Sequence, residues 1–152
     1  PIGLLLSGPA GGVIGARATG AQSGSSNIIT IDIGGTSADI SVIQDGQLRI
    51  KNPRDTEVAN LPVLVPMLDI DAIGAGGGSI AYIDVGGAFR VGPKSAGAVP
   101  GPACYGRGGT KPTITDAHLI RGTMRSLSFV GGSIAVDHDA AAAAFARWAY
   151  VG

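Results

Sequence analysis

Apolar and polar positions alternate most regularly between Asn27 and Ile43, NIITIDIGGTSADISVI. Successive side chains of a strand point to opposite faces, so a first strand sets Ile29, Ile31 and Ile33 on one face and Ile28, Thr30 and Asp32 on the other. The return strand sets Ala38, Ile40 and Val42 against Asp39, Ser41 and Ile43, with Gly34-Gly35-Thr36-Ser37 as the turn. Asp45-Gly46 signals a second reversal, into a third strand over Gln47 to Lys51. The pattern predicts an antiparallel three-stranded meander from Asn27 to Lys51, central and buried because its first strand is apolar on both faces.

Before the meander, Ile2 to Leu6 reads as a short buried strand. Pro9 to Gln22 reads as a helix against one face of the meander, capped by Ser7 or Gly8, with proline in the first turn where its missing N–H costs nothing. Gly11, Gly12, Gly15, Ala16 and Thr19 form a small-residue stripe on it. Each interior glycine costs roughly 0.5 to 1 kcal/mol relative to alanine, so the stripe implies either close packing of backbone on the sheet or the approach of a ligand at the N-terminus.

After the meander, residues 52–66 are irregular and proline-punctuated. Leu68 to Ile73 alternates, with Asp69 and Asp71 on one face, and runs into the cluster Gly74-Ala75-Gly76-Gly77-Gly78-Ser79. Ile80 to Val85 and Ala88 to Val91 flank Gly86-Gly87 as a second hairpin. Gly92 to Gly109 lacks periodicity and reads as a long structureless loop, a class that is usually functional or disordered; its small apolar residues argue against disorder. Thr113 to Thr115 reads as a short strand or turn, and Thr115 or Asp116 as the cap of a helix through about Arg121. Asp137 to Tyr150 is a structural helix with Asp137 or Asp139 at its start and Phe145 and Trp148 for packing. The whole is an α/β chain with an antiparallel meander, flanking helices and glycine-rich loops.

Composition narrows the classes. The chain has 152 residues, the size of one domain, and 26 are glycine, about 17 % against a usual share of about 7 %. Eleven basic and eleven acidic residues cancel, and Arg107, Lys111, Arg121 and Arg125 are too scattered and too poor in aromatic neighbours for a nucleic-acid partner. No apolar run approaches the roughly 18 residues a membrane helix needs, so no membrane partner is expected. The single cysteine, Cys104, excludes an internal disulfide and a CxxC metal pair and fits a reducing, cytoplasmic setting. As a nucleophile it lacks a histidine paired with it by sequence, and a lone cysteine more often fills a core. Starting at Pro1, inside an apolar run, the chain is expected to be a piece of something longer.

The first hairpin carries the candidate chemistry. Gly34 and Gly35 tolerate positive φ, so the turn can bare backbone N–H groups that converge on an anion, with the Thr36 hydroxyl beside them. Asp32 precedes that turn, and Asp39 shares a face with Ser41 just after it. An Asp to hold hydrated Mg2+, a turn to wrap phosphate and a second Asp nearby make a nucleotide-phosphate site; alternatively, the turn needs glycine only to reverse. The Gly76-Gly77-Gly78-Ser79 cluster can cradle a phosphate or let two backbones touch. It lacks both the GxGxxG spacing and the terminal Gly-Lys-Ser/Thr of a P-loop. Asp116 has a capping role available, and His118 is either a surface residue or a ligand.

In order, SGPAGGVIGA, IDIGGTSADISV, IGAGGGSIA, VGPKSAGAVPGPACYGRGG and TITDAHLIRG resemble the hydantoinase A and 5-oxoprolinase family over nearly the whole chain to about Gly122. The resemblance implies an actin/sugar-kinase ATPase superfold, a ribonuclease-H-like architecture of two related halves around ATP. This chain would be the part holding the second phosphate loop, with the first loop in an upstream half of the same polypeptide. It also implies ATP with Mg2+ or another divalent metal, and phosphorylation of an amide or imide oxygen so that a cyclic amide (hydantoin or 5-oxoproline type) opens. Related members are subunits of ATP-dependent ketone carboxylases, which would bring a ketone substrate and a second subunit. A third alternative is a non-catalytic assembly domain of the same fold.

By that likeness Asp32 and Asp116 are catalytic; Gly34, Gly35, Thr36, Asp39 and Gly76 to Ser79 bind the nucleotide; and Asp32, Asp69, Asp71 and His118 are candidate metal ligands. Asp32, Asp39 and Asp116 are expected to converge on one cleft with the two glycine motifs. The chain departs from the family where Asp69-Ile70-Asp71-Ala72 replaces the common Asp-x-His-Thr, which either exchanges a nitrogen ligand for oxygen that prefers harder metals or marks a different substrate. His118 stands where asparagine is frequent. Isolated, the chain is expected to fold at least partly, to lack turnover and to self-associate.

Overall fold

The computed structural model describes residues 7–58, 61–124 and 135–149; the strand expected over Ile2 to Leu6 lies outside them. The chain divides into two compact units, one comprising Pro1–Asp32 and Asp39–Ile73, the other Ile33–Ala38 and Gly74–Gly152.

In the first unit, helix α1 (Ser7–Gln22) closes in a Schellman motif. Gly24 takes φ +74°, the Ser25 N–H donates to the Gly20 carbonyl at 2.8 Å and the Gly24 N–H to Ala21 at 3.4 Å. Only one glycine of α1 packs tightly. A Cβ at Gly20 would collide with the Ile28 side chain and the Ser25 carbonyl, whereas Cβ atoms at Gly11, Gly12 and Gly15 would meet nothing within 4 Å. Close packing therefore does not account for the stripe.

Strand β1 (Ile28–Ile33) pairs with β2 (Ala38–Gln44), which also pairs with β3 (Gln47–Leu48) and β8 (Asp71–Ile73). The β2–β3 reversal is the expected one. Asp45 and Gly46 both have positive φ, 51° and 72°, as a type I′ turn requires, and Asn27 Oδ1 accepts the Asp45 N–H at 2.9 Å.

Two expectations are corrected here. The third strand does not run unbroken to Lys51: β4 (Ile50–Lys51) turns to pair with β7 (Met67–Leu68), because the Arg49 carbonyl accepts from Asp69 N–H. Nor is β1 buried. Ile29, Ile31 and Ile33 are 68 %, 61 % and 66 % exposed, since among the described residues β1 pairs only with β2 and no element covers its isoleucine face. An apolar pattern on both faces shows that a strand wants cover; it does not say which chain segment supplies it. Burial falls instead on Val13, Ser41, Ile43 and Val63. Residues 52–66 are more ordered than expected: a 3₁₀ turn at Pro53–Asp55, capped by the Asn52 side chain, and the pair β5 (Glu57–Val58) and β6 (Leu61–Pro62).

The second unit is built on a hairpin, β9 (Ser79–Ile83) with β10 (Phe89–Ser95), irregular between Val91 and Ser95. At its tip Asp84 Oδ1 accepts from Gly86 and Ala88 N–H, and Oδ2 pairs with Arg90 Nε at 2.8 Å. That guanidinium and the turn N–H groups hold the Asp84 carboxyl below its ordinary range.

The loop expected over Gly92 to Gly109 is not structureless. Its first residues complete β10 and Ala103–Tyr105 form a 3₁₀ turn with Ala103 and Cys104 buried. Helix α2 (Ile114–Ile120) is capped by Thr113, in a capping box with Asp116 at its third position. The cap thus lies two residues before Thr115 and three before Asp116. Helix α3 (His138–Ala149) starts under Asp137, whose Oδ1 accepts the Ala140 N–H at 2.9 Å. Cys104, Leu119 and Ala141 form the core here, with Tyr105, Met124 and Val136 against it.

Candidate functional site

The Gly34–Thr36 turn belongs to the second unit, where its backbone lies on that of the glycine cluster. Gly77 N–H donates to the Gly34 carbonyl at 2.9 Å and Gly78 N–H to the Gly35 carbonyl at 2.6 Å. A Cβ at Gly76 would stand 2.6 Å from Thr36 N and C, and one at Gly78 would stand 2.8 Å from Gly35 O and from Ser95 Oγ. Of the two readings of this cluster, the structure has backbones touching. The reason for glycine in the turn itself also differs from expectation, as neither Gly34 nor Gly35 has positive φ. Gly34 sits close to the Ser37 carbonyl, which accepts its N–H at 2.9 Å. A Cβ at Gly35, by contrast, would meet nothing within 4 Å.

That docking fixes the direction of the turn's donors. In a trans peptide the C=O and N–H point oppositely. With the Gly34 and Gly35 carbonyls turned onto the cluster, the Gly35 and Thr36 N–H groups point away from it. Thr36 Oγ1 lies 3.3 Å from Ser95 Oγ. Ser79 is fully buried and structural, its Oγ accepting the Gly76 N–H at 2.8 Å.

Asp116 is fully buried, and both its oxygens are committed. Oδ2 accepts from Ala103 N–H at 3.2 Å, Thr113 N–H at 2.9 Å and Thr113 Oγ1 at 2.7 Å, while Oδ1 accepts from Cys104 N–H at 2.8 Å. It joins the 3₁₀ turn to the start of α2. Burial, with the neighbouring Asp116 carboxylate adding to it, pushes the Cys104 thiol up to about 12, which disfavours the thiolate a nucleophile needs. His118 is exposed at the other end of α2, its Nδ1 2.9 Å from Thr123 Oγ1.

In the first unit, Asp32 and Asp39 line a cavity of about 300 Å3 with Gly12 and Ala16 of α1. Neither carboxylate has a hydrogen bond or ion pair among the described residues. Asp69 and Asp71 differ, since Lys51 Nζ stands 3.9 Å from one and 3.5 Å from the other. Among the described residues no three His, Cys, Asp or Glu side chains gather as a metal would need; the set Asp32, Asp69, Asp71 and His118 is not assembled here. The carboxylates left for a divalent cation are therefore Asp32 and Asp39, which line one cavity.

Thr113, Thr115 and Ser95 were not among the candidates. Thr113-x-x-Asp116 has the spacing of a capping box and was readable. Thr115 acts on the Gly77 carbonyl 38 residues away and Ser95 on the Thr36 hydroxyl 59 residues away, which no local pattern shows.

A sequence model of the Hydantoinase/oxoprolinase family matches residues 1–150. The chain is 41 % identical over 140 residues to caprolactamase subunit alpha of Pseudomonas jessenii, covering 92 % of this chain and 20 % of that protein. It is 48 % identical over 122 residues to 5-oxoprolinase of Saccharomyces cerevisiae, covering 79 % and 9 %. A nucleotide-free structure of acetone carboxylase, from work on ATP-dependent acetone carboxylation, superposes with a TM-score of 0.77 at 38 % identity, over 93 % of this chain and 20 % of that one. The chain thus spans about a fifth of the length of the first curated relatives it matches.

Proposed function

The chain belongs to the hydantoinase/oxoprolinase family, and from that premise we propose that it is the nucleotide-binding segment, carrying the second phosphate loop, of a cytoplasmic ATP-dependent amidohydrolase that opens a cyclic amide or imide. One observation carries the reading: the Gly34 and Gly35 carbonyls are spent on Gly77 and Gly78, which turns the Gly35 and Thr36 N–H groups outward. Those two amides and the Thr36 hydroxyl receive phosphate oxygens. Asp32 and Asp39 hold the hydrated divalent cation that accompanies the nucleotide. When bound, ATP supplies the phosphoryl group that makes an amide oxygen a better leaving group. Asp116 acts through Thr113, Ala103 and Cys104 as a positioning residue and touches no substrate, whereas Asp69 and Asp71 are balanced by Lys51.

The 5-oxoprolinase and caprolactamase relatives support the cyclic-amide reading, and the likeness to acetone carboxylase supports a second one, a subunit of an ATP-dependent ketone carboxylase. Product analysis of the complete protein with ATP and, in turn, hydantoin, 5-oxoproline and a ketone plus bicarbonate decides between them. Ring-opened acid with ADP supports the first reading, and a carboxylated ketone with ADP the second. ATP left intact with every substrate, in the presence of all subunits, overturns both in favour of an assembly domain.

A further inference from the structure

Two peptide planes link the start of α2 to the outward-facing amides of the Gly34–Thr36 turn. The Gly77 carbonyl takes two donors from one residue, the Thr115 N–H and the Thr115 Oγ1, each at 2.8 Å. The same peptide unit presents the Gly78 N–H to the Gly35 carbonyl at 2.6 Å, and the peptide unit of that carbonyl presents the Thr36 N–H outward.

We infer that Thr115 is a positioning residue for anion binding at the Gly35–Thr36 amides, holding and polarising them through the Gly77–Gly78 peptide; this rests on the reading of the turn as a phosphate loop. Any residue at position 115 supplies the N–H, but only a hydroxyl supplies the second donor. Donation into the Gly77 carbonyl strengthens the Gly78 N–H as a donor to Gly35, which in turn strengthens the Thr36 N–H toward an anion, because bonds in a chain polarise one another. The anchor is well held. Thr115 is buried, the Tyr105 phenol is its hydrogen-bond neighbour, and it sits inside the capping box of Thr113 and Asp116. The partner admits no side chain, since a Cβ at Gly77 would stand 2.8 Å from Thr115 Oγ1.

The test compares Thr115→Val, which keeps the shape and loses the donor, with Thr115→Ser, which keeps the donor. Amide exchange is read by NMR, and MgADP is titrated against the Gly35 and Thr36 amide resonances of the complete protein. We expect Thr115→Val to raise exchange at Gly78 about fivefold, the worth of one net hydrogen bond, and to weaken the MgADP response of Gly35 and Thr36, with Thr115→Ser restoring both. Unchanged Gly78 exchange in Thr115→Val overturns the linkage whatever the turn binds. Normal linkage with Gly35 and Thr36 resonances insensitive to MgADP in the unaltered complete protein overturns the phosphate reading instead. Thr115→Ala repeats the comparison without the added methyl; if neither Val nor Ala folds while Ser does, the hydroxyl holds the unit as a whole and the positioning role is overturned.

Discussion

Replacing Asp116 by asparagine keeps the shape of a fully committed buried side chain and changes what one of its atoms can do. Three donors, from Ala103, Thr113 N and Thr113 Oγ1, meet at Oδ2, and one, from Cys104 N, meets Oδ1. The asparagine oxygen takes the position with three donors, which leaves its NH2 facing the buried Cys104 N–H, donor against donor. An unsatisfied buried donor costs about 1 to 3 kcal/mol, and the three surviving bonds fall from charge-assisted to neutral, at roughly 0.5 kcal/mol each. Together these come to about 2.5 to 4.5 kcal/mol, a large share of the 5 to 15 kcal/mol typical of a domain. With a slope of about 2 kcal/mol per molar urea, the unfolding midpoint read by circular dichroism at 222 nm should fall by about 1.2 to 2.2 M. A midpoint within about 0.3 M of the unaltered chain would refute the assignment. Asp116 would then be free for the catalytic role its sequence context suggested, and turnover of the complete protein would be lost while stability held.

Three more outcomes follow from the same geometry. Gly76→Ala puts a Cβ 2.6 Å from the Thr36 backbone, so it should destabilise the second unit by about 1 to 3 kcal/mol, the usual range for overpacking, and disturb the Thr36 amide resonance; an unshifted spectrum would contradict the backbone contact. Cys104, raised from 9.0 to about 12 by burial, should resist iodoacetamide in the native state at pH 8 and react once unfolded. Because its folded pKa is the higher one, its contribution to stability is full below pH 9 and is lost as pH rises toward 12, which urea midpoints across that window would show. Ile31, 61 % exposed on an edge strand, should drive self-association of the isolated chain. Ile31→Lys should shift the sedimentation profile toward monomer with the unfolding midpoint unchanged, and an unaltered profile would place the contact elsewhere.

The sequence pattern was most informative where local chemistry decides the outcome. The Asp45-Gly46 reversal, the Gly86-Gly87 hairpin and α1 were legible because turn residues and capping act within a few positions. The exposure of Ile29 and Ile31 was not, since alternation records the demand for cover without naming what provides it. The hydrogen bonding of Asp116 was not legible for a related reason. Its partners Ala103 and Cys104 donate through backbone N–H groups 12 and 13 residues away, and a backbone donor leaves no mark on residue identity. The Gly76–Gly78 cluster was half legible: glycine announced a close approach, but whether phosphate or protein backbone approached depended on the Gly34–Thr36 turn arriving from about forty residues upstream.

Gly35→Ala separates phosphate binding from folding, because position 35 has no positive φ and a Cβ there would meet nothing within 4 Å beyond its chain neighbours. Isothermal titration of the complete protein with MgADP, beside urea unfolding of the same variant, separates binding from folding. The account predicts an unchanged unfolding midpoint with affinity reduced at least about tenfold, the equivalent of about 1.4 kcal/mol, as the methyl intrudes where phosphate meets the Gly35 and Thr36 amides. Unaltered affinity in a normally folded Gly35→Ala protein would contradict it and remove the turn from the nucleotide site.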